Sequence, residues 1–468
     1  MIEFGTGGWR AIIGEDFIKS NLQLLSQGLA NRMIQENANE FVIGYDRRFL
    51  SEKSAQWMAE VMAGNKIKVY FINKIAPTPM IMFSVKEMNL QYGAAITASH
   101  NPADYNGIKI FTEGGRDASA EVTNEIEAEI SKIEEKDIKV MNFDKAVNEE
   151  KVVIYNPFND YIDTIINMID LKAIKDKQLK ILLDPMYGVS KTSLQTILMT
   201  ARCEVELIHD RHDTLFGGRL PSPSAETLGR LKNDVVEKGF DLGIGTDGDA
   251  DRLGIIDEKG NFIHPNEIMA LLYYYLLKYK KWTGPVVRNL ATTHLLDKIA
   301  EGFGEECYEV PVGFKHISSK MEETNALIGG ESSGGLTIRG HIKGKDGVFA
   351  ASLLVEMISV TNKHLSKLLE EIHEQFGKFE MAEHGFGFDV EEKERLLKIL
   401  YTDKKIPEFS FEVERVSYMD GVKVFFKNGG WIIARFSGTE PLLRVFAEMD
   451  CIDKAEIVCK EMKELLGI

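Results

Sequence analysis

Short runs of consecutive apolar residues alternate along this chain with longer stretches in which apolar positions recur every three or four residues. The short runs read as buried strands and the longer ones as amphipathic helices, the alternation of an α/β protein. Residues 41–45 predict a strand, 52–62 a helix with one apolar side, and 66–72 a second strand. The charged stretch 121–151 keeps helical periodicity and loosens near Asn142. A second α/β unit opens with a strand at 179–183. A third holds a strand at 285–288, a helix starting near Thr293 and a charged helix over 365–376. Beyond it, residues 413–419, 422–426 and 431–435 read as strands joined at Asp420-Gly421 and at Asn428-Gly429-Gly430, turns that suit hairpins. The boundaries drawn from this pattern are 1–155, 156–257 and 258–374 for three α/β domains. Residues 375–468 form a smaller C-terminal α+β domain with an antiparallel sheet.

One pattern occurs three times: an apolar strand runs into a polar or glycine-rich loop, and a second apolar strand follows. The loops begin at Ala98-Ser99-His100-Asn101, at Thr246-Asp247-Gly248-Asp249 and at Gly330-Glu331-Ser332-Ser333. Three related units, each offering a different loop at a strand end, suit a cleft shared among domains.

Length and charge narrow the possibilities. A chain of 468 residues exceeds what one hydrophobic core supports, so several domains are expected. The balance of 56 basic against 72 acidic residues, a net charge of −16, argues against a general nucleic-acid binder. It leaves room for an anionic small substrate, because local basic groups dominate inside a cleft. Cys203, Cys307, Cys451 and Cys459 form no CxxC pair and read as reduced thiols. Residues 1–5 lack the basic and apolar regions of a signal peptide. The most apolar stretch, 268–277, is about half the length that spans a bilayer. A cytoplasmic protein without a membrane partner is expected.

Four loops carry chemistry. In Thr97-Ala98-Ser99-His100-Asn101-Pro102, a serine between small residues at the end of a buried strand can act as a nucleophile, or as a helix cap. Lys109 follows the Asn106-Gly107 turn, which would fold it back toward the serine. Asp247-Gly248-Asp249-Ala250-Asp251-Arg252 puts three carboxylates on alternate residues. They can converge on one hard cation if the backbone turns sharply, which Gly248 permits, and oxygen-only ligation favours Mg²⁺ or Ca²⁺. An EF-hand is rejected because Arg252 stands at its glycine position and the flanks read as strands. An aspartyl-phosphate phosphotransferase with Asp247 as nucleophile is a second reading, weakened by Asp251 where that family has Thr or Val. The third loop, residues 329–335, offers Glu331 and two serine hydroxyls to a sugar, or is a plain glycine-rich turn. The fourth, Arg435-Phe436-Ser437-Gly438-Thr439-Glu440-Pro441 with Arg444 beyond it, supplies hydroxyl, backbone N–H and guanidinium donors to a phosphate.

In this order and spacing the loops resemble those of the α-D-phosphohexomutases, the phosphoglucomutase/phosphomannomutase superfamily. Gly5-Thr6-Gly7-Gly8-Trp9-Arg10 is similar to that family's opening, and the resemblance covers essentially the whole chain. The details look closest to bacterial phosphoglucomutases. The resemblance implies a four-domain, heart-shaped enzyme that interconverts glucose 1-phosphate and glucose 6-phosphate through a phosphoserine and glucose 1,6-bisphosphate. Phosphomannomutase and phosphoglucosamine mutase are the alternatives, and a non-catalytic sugar-phosphate binding protein is a further one. It implies Ser99 as phosphoryl carrier, with His100, Arg10, Lys109 and Lys315 in the catalytic set. Mg²⁺ would lie between Ser99, Asp247, Asp249 and Asp251. Arg252, Thr292, His316, Glu331, Ser333, Arg435, Ser437, Gly438, Thr439 and Arg444 would bind the substrate, in a monomer or homodimer. Ala250 stands where the family often has glycine, and Ser332 occupies a position that varies with subgroup.

Overall fold

A computed structural model describes residues 2–5, 8–438 and 442–468. The architecture is four-domain: three α/β domains and a C-terminal α+β domain, each built on its own sheet. The first sheet contains β1 (Trp9–Ile12), β2 (Glu40–Tyr45), β3 (Lys68–Ile75), β4 (Tyr92–Ile96), β5 (Tyr105–Thr112), β6 (Arg116–Asp117) and β7 (Val152–Tyr155). The second contains β8 (Lys180–Asp184), β9 (Glu204–Leu207), β10 (Leu242–Thr246), β11 (Leu253–Ile256) and β12 (Phe262–Ile263). The third holds β13 (Val286–Asn289), β14 (Cys307–Val310), β15 (Ile328–Gly330) and β16 (Leu336–Ile338).

The threefold sequence pattern corresponds to one repeated topology. In spatial order β3-β2-β4-β5, β9-β8-β10-β11 and β14-β13-β15-β16 are equivalent: three parallel strands, then an antiparallel fourth. Helices cover these sheets, so strands such as β4, β10 and β13 are buried at every position; β4 and β10 read as nearly apolar runs, whereas β13 also buries Arg288 and Asn289. The Ser99, Asp247 and Glu331 loops follow β4, β10 and β15. They therefore sit at the carboxyl ends of parallel strands, where open α/β sheets bind ligands.

The apolar stretch 268–277 lies inside a core helix, Pro265–Lys278, and every residue of it is buried. With the almost wholly buried helix Gly347–Thr361 it joins one continuous core with residues of all three α/β domains. No helix among the described residues is long and apolar enough to cross a membrane. Element limits moved for local reasons. The strand expected at 66–72 starts at Lys68, because Lys66 takes φ +66°, a left-handed turn out of the preceding helix. The charged stretch 121–151 splits into helices Ala120–Ile130 and Phe143–Asn148, the second capped by Asn142, whose side chain accepts from Lys145 N.

The C-terminal sheet is antiparallel: β17 (Glu380–Gly387), β18 (Val413–Ser417), β19 (Val422–Phe426), β20 (Trp431–Phe436) and β21 (Leu442–Met449), in spatial order β17-β21-β20-β19-β18. Alternation in β20 divides its side chains between two partners. Ile432 and Ala434 enter this domain's own core with helix Ile452–Leu466, whereas Trp431 and Ile433 pack with Leu290 of the third domain. Lys423 of β19 crosses the same interface, where its buried ammonium donates to Glu309 Oε2 (2.6 Å) and Leu290 O (2.7 Å).

Candidate active site

Ser99 heads a loop that the chain holds in an unfavourable conformation. Its φ is +52°, the left-handed region that a residue with a Cβ rarely occupies, so the surroundings must fix it. Two side chains do so. Thr97 Oγ1 accepts from Ser99 N (2.8 Å) and donates to buried Asp46 (2.6 Å). Arg48 donates to the carbonyls of Ser99 (2.7 Å), Asn101 (2.6 Å), Pro102 (2.7 Å) and Tyr105 (3.0 Å), so one guanidinium holds the whole turn. Ser99 Oγ donates to Asp247 Oδ2 at 2.8 Å, across the boundary between the first and second sheets. His100 Nδ1 lies 3.5 Å from the same hydroxyl. The charge of Arg252, with burial and Arg10, holds the His100 imidazole well below its ordinary range, so it is neutral.

The acidic loop is pinned from both neighbouring domains. Thr78 N donates to Asp249 O (2.9 Å), and Gly347 N donates to Ala250 O (3.2 Å). The role expected for Gly248 changes here. A Cβ at Gly248 would stand 2.6 Å from Ser99 O, so glycine is needed for close approach of the two loops. The left-handed turn falls instead on Ala250, at φ +62°. Alanine accepts at that position a strain that glycine would avoid, of roughly 1 kcal/mol.

The residues fit a small hard cation. Ligand oxygens of Asp247, Asp249 and Asp251 lie within 4.8 Å of one another, and all three carboxylates are buried. Asp249 Oδ1 and Asp251 Oδ1 have no hydrogen-bond partner among the described residues, a costly arrangement unless an ion occupies the space they face. Their other oxygens take Lys109 Nζ at 2.6 Å each. Thr78 Oγ1 also donates to Asp249 (2.7 Å), and Lys345 lies 3.1 Å from Asp251. Burial and then the two neighbouring carboxylates push Asp247 well above the usual range. Lys109 and Lys345 hold Asp251 well below it, against the effect of burial.

Beside this centre opens one cleft lined from all four domains: by Arg10, His100 and Lys109; by Arg252; by Asn289, Glu331, Ser333 and Lys345; and by Arg435, Ser437, Gly438 and Arg444. Arg10 donates to Asn101 Oδ1 (2.5 Å). Glu331 Oε1 accepts from Gly313 N (3.1 Å) and Asn289 Nδ2 (3.4 Å), which leaves Oε2 beside Ser333 Oγ (3.5 Å). Other expected residues lie elsewhere. Thr292 is fully buried and donates to Asn289 Oδ1 (2.8 Å), so Asn289 and Ala291 of that segment line the cleft instead. Lys315 borders a small neighbouring opening with Gly5, Gly8 and Lys109, and His316 does not line the main cleft. Thr439 is outside the described residues. Asp46, Arg48, Thr78 and Lys345 were not expected from the sequence; Asn289 belongs to the segment from which Thr292 was expected. The sequence shows Asp46-Arg47-Arg48 as a charged cluster directly after a buried strand, but not that Asp46 and Arg48 would be buried under the Ser99 turn.

Comparison with known proteins identifies the family. The chain matches the descriptions "Phosphoglucomutase/phosphomannomutase, alpha/beta/alpha domain I" over residues 1–137, domain II over 159–260, domain III over 264–376 and "C-terminal domain" over 389–465. A phosphoglucomutase/phosphomannomutase of Thermococcus kodakarensis is 30% identical over 99% of both chains. A phosphoglucosamine/phosphogalactosamine mutase of Sulfurisphaera tokodaii is 27% identical over 99% of this chain and 98% of its own. A Thermus thermophilus structure, provisionally named a phosphomannomutase, superposes with a TM-score of 0.87 at 26% identity, covering 100% of this chain and 99% of its own. With four domain descriptions matched in order and a relative aligned along its whole length, the chain belongs to the phosphoglucomutase/phosphomannomutase family, whose members are mutases of hexose phosphates.

Proposed function

We propose that the chain is a phosphoglucomutase working through a phosphoserine at Ser99, with Mg²⁺ held by Asp247, Asp249, Asp251 and the serine oxygen. The observation that carries this reading is the Ser99–Asp247 contact of 2.8 Å, which joins the nucleophile to a carboxylate cluster with two orphaned oxygens. In the first half-reaction the bond from phosphorus to Ser99 Oγ breaks and one to a free sugar hydroxyl forms, giving a 1,6-bisphosphate; in net terms the proton of that hydroxyl ends on Ser99 Oγ. After the sugar turns end for end, Ser99 Oγ attacks the other phosphate, the bond from that phosphorus to the sugar oxygen breaks, and the freed sugar oxygen takes up a proton. The Ser99 hydroxyl proton has two acceptors in reach, Asp247 Oδ2 at 2.8 Å and neutral His100 at 3.5 Å. Arg10, Lys109 and Arg252 oppose the charge of the transferring group, and the bound cation would add to that field. Arg435, Ser437, Gly438 and Thr439 suit the phosphate that is not reacting, while Glu331 and Ser333 accept and donate to ring hydroxyls.

Glu331 would accept equally from a 2-hydroxyl or a 2-ammonium group. A second reading, phosphoglucosamine mutase, is therefore kept, and the Sulfurisphaera tokodaii relative favours it. A coupled assay with glucose 1-phosphate, mannose 1-phosphate and glucosamine 1-phosphate decides between them. The expected result is the highest kcat/KM with glucose 1-phosphate. A preference of tenfold or more for glucosamine 1-phosphate would replace the first reading with the second.

A further inference from the structure

The turn between β18 and β19 carries a carboxylate that touches two parts of the cleft at once. Asp420 Oδ1 forms an ion pair with Arg435 Nε at 2.8 Å, within the C-terminal domain. Asp420 Oδ2 accepts from Val312 N at 2.9 Å, in the third domain. The next residue along, Gly313, donates its N–H to Glu331 Oε1 at 3.1 Å. An unbroken path of contacts thus leads from the guanidinium on the phosphate side of the cleft, through Asp420 and residues 312–313, to the carboxylate on the sugar side. Gly313 has φ +125°, a conformation that a residue with a Cβ would resist, so the backbone there is shaped for this path.

We propose that Asp420 is a positioning residue that couples the phosphate grip to the sugar grip. This rests on the reading of Arg435 as a phosphate ligand and of Glu331 as a sugar ligand. The Asp420 charge lies against Nε, the inner side of the guanidinium, so the two terminal nitrogens are the ones placed for bidentate contact with a phosphate. Because the same carboxylate holds residue 312, movement of the C-terminal domain onto a substrate carries the Glu331 loop with it. A substrate that must be held, released at one end and held again in reverse needs both grips in register. A lone arginine on a separate domain would not provide that.

Three variants separate the two arms of Asp420. Arg435→Ala should raise KM roughly 10- to 100-fold for glucose 1-phosphate and mannose 1-phosphate alike, since one charge-assisted contact is lost. Asp420→Asn keeps an oxygen for Val312 N but loses the charge. It should raise KM for both sugars and leave their kcat/KM ratio as it was. Asp420→Ala loses both arms and should also shift that ratio by about threefold or more, the scale of one neutral hydrogen bond. An Asp420→Ala protein with an unchanged ratio, or an Asp420→Asn protein with unchanged KM, overturns the proposal. If Asp420→Ala does not fold, an unchanged KM in Asp420→Asn still overturns the proposal. Dissociation constants for the two sugar phosphates are measured calorimetrically on the same proteins. A wild type that binds them without turnover would defeat the mutase reading, and the same comparison in binding would still judge Asp420.

Discussion

Replacing Arg48 by lysine tests whether the Ser99 loop is held from beneath. The arginine side chain is fully buried and stacks on Phe216, 4.8 Å from the ring centre. Its two terminal nitrogens reach four carbonyls of residues 99–105 at 2.6–3.0 Å. Lysine keeps the charge but offers three donors from a single atom, so at least one of the four carbonyls loses its partner. A buried acceptor left unpaired costs about 1–3 kcal/mol, and the lost stacking adds to that. Arg48→Lys should therefore lower the stability of the first domain by roughly 2–4 kcal/mol. The rate should fall further than stability alone requires, because Ser99 keeps φ +52° only under this constraint. A nucleophile displaced by about 1 Å loses on the order of 100-fold in kcat. Urea unfolding followed by circular dichroism gives the first quantity, and turnover at saturating substrate and Mg²⁺ gives the second. A variant within about 0.5 kcal/mol of wild type, with an unchanged kcat, would refute the argument.

Other outcomes follow from the same contacts. Asp249→Asn should weaken Mg²⁺ binding at least tenfold and cut turnover while leaving the fold intact, because Oδ1 is one of two orphaned oxygens in the cluster; a metal titration with unchanged activity at limiting Mg²⁺ would remove that role. Arg435→Ala should reduce kcat/KM for glucose and mannose phosphates by similar amounts, about 1.5–3 kcal/mol, whereas Glu331→Gln should change their ratio; the reverse pattern would mean the two loops are assigned the wrong way round. Burial, then the charges of Arg288 and Lys423, hold His294 well below its ordinary value in the folded protein. Below about pH 6.5 the unfolded chain takes up a proton that the fold refuses, so stability falls with pH by up to about 1.4 kcal/mol per unit from this residue. Denaturant unfolding at pH 7.5 and 5.5 should show that loss in wild type and less of it in His294→Gln; equal slopes would count against it.

The central strands were legible because they are covered on both faces and so carry mostly apolar runs; the edge strands Glu204–Leu207, Cys307–Val310 and Glu380–Gly387, partly exposed and charged, were not. The hairpins at 422–426 and 431–435 were legible from their turn residues. The threefold loop pattern was visible as hydrophobicity alone, and it marked the strands whose ends meet at the cleft. What the chain could not announce was which polar residues would be buried by partners distant in sequence. Arg48 reads as an ordinary loop charge until the turn at 99–105 folds over it. Asp420 reads as half of an Asp-Gly turn, and only the docking of two domains gives its second oxygen to Val312. Gly248 illustrates the same limit. The residue was legible as necessary, but the need comes from the carbonyl of Ser99, which lies in another domain and beyond the reach of local reasoning. Thr292 shows the converse, a polar side chain whose partner is its own segment's Asn289.

The central claim is that Ser99 carries the phosphoryl group. Protein incubated with glucose 1,6-bisphosphate and Mg²⁺, quenched in acid and digested, should yield a peptide containing residues 97–102 with one phosphate, localised to Ser99 by fragmentation. The ester should survive hydroxylamine, and transfer to glucose 1-phosphate should remove it. Phosphate found instead on Asp247 as a hydroxylamine-labile acyl phosphate, or no phosphopeptide while turnover proceeds, would contradict the account.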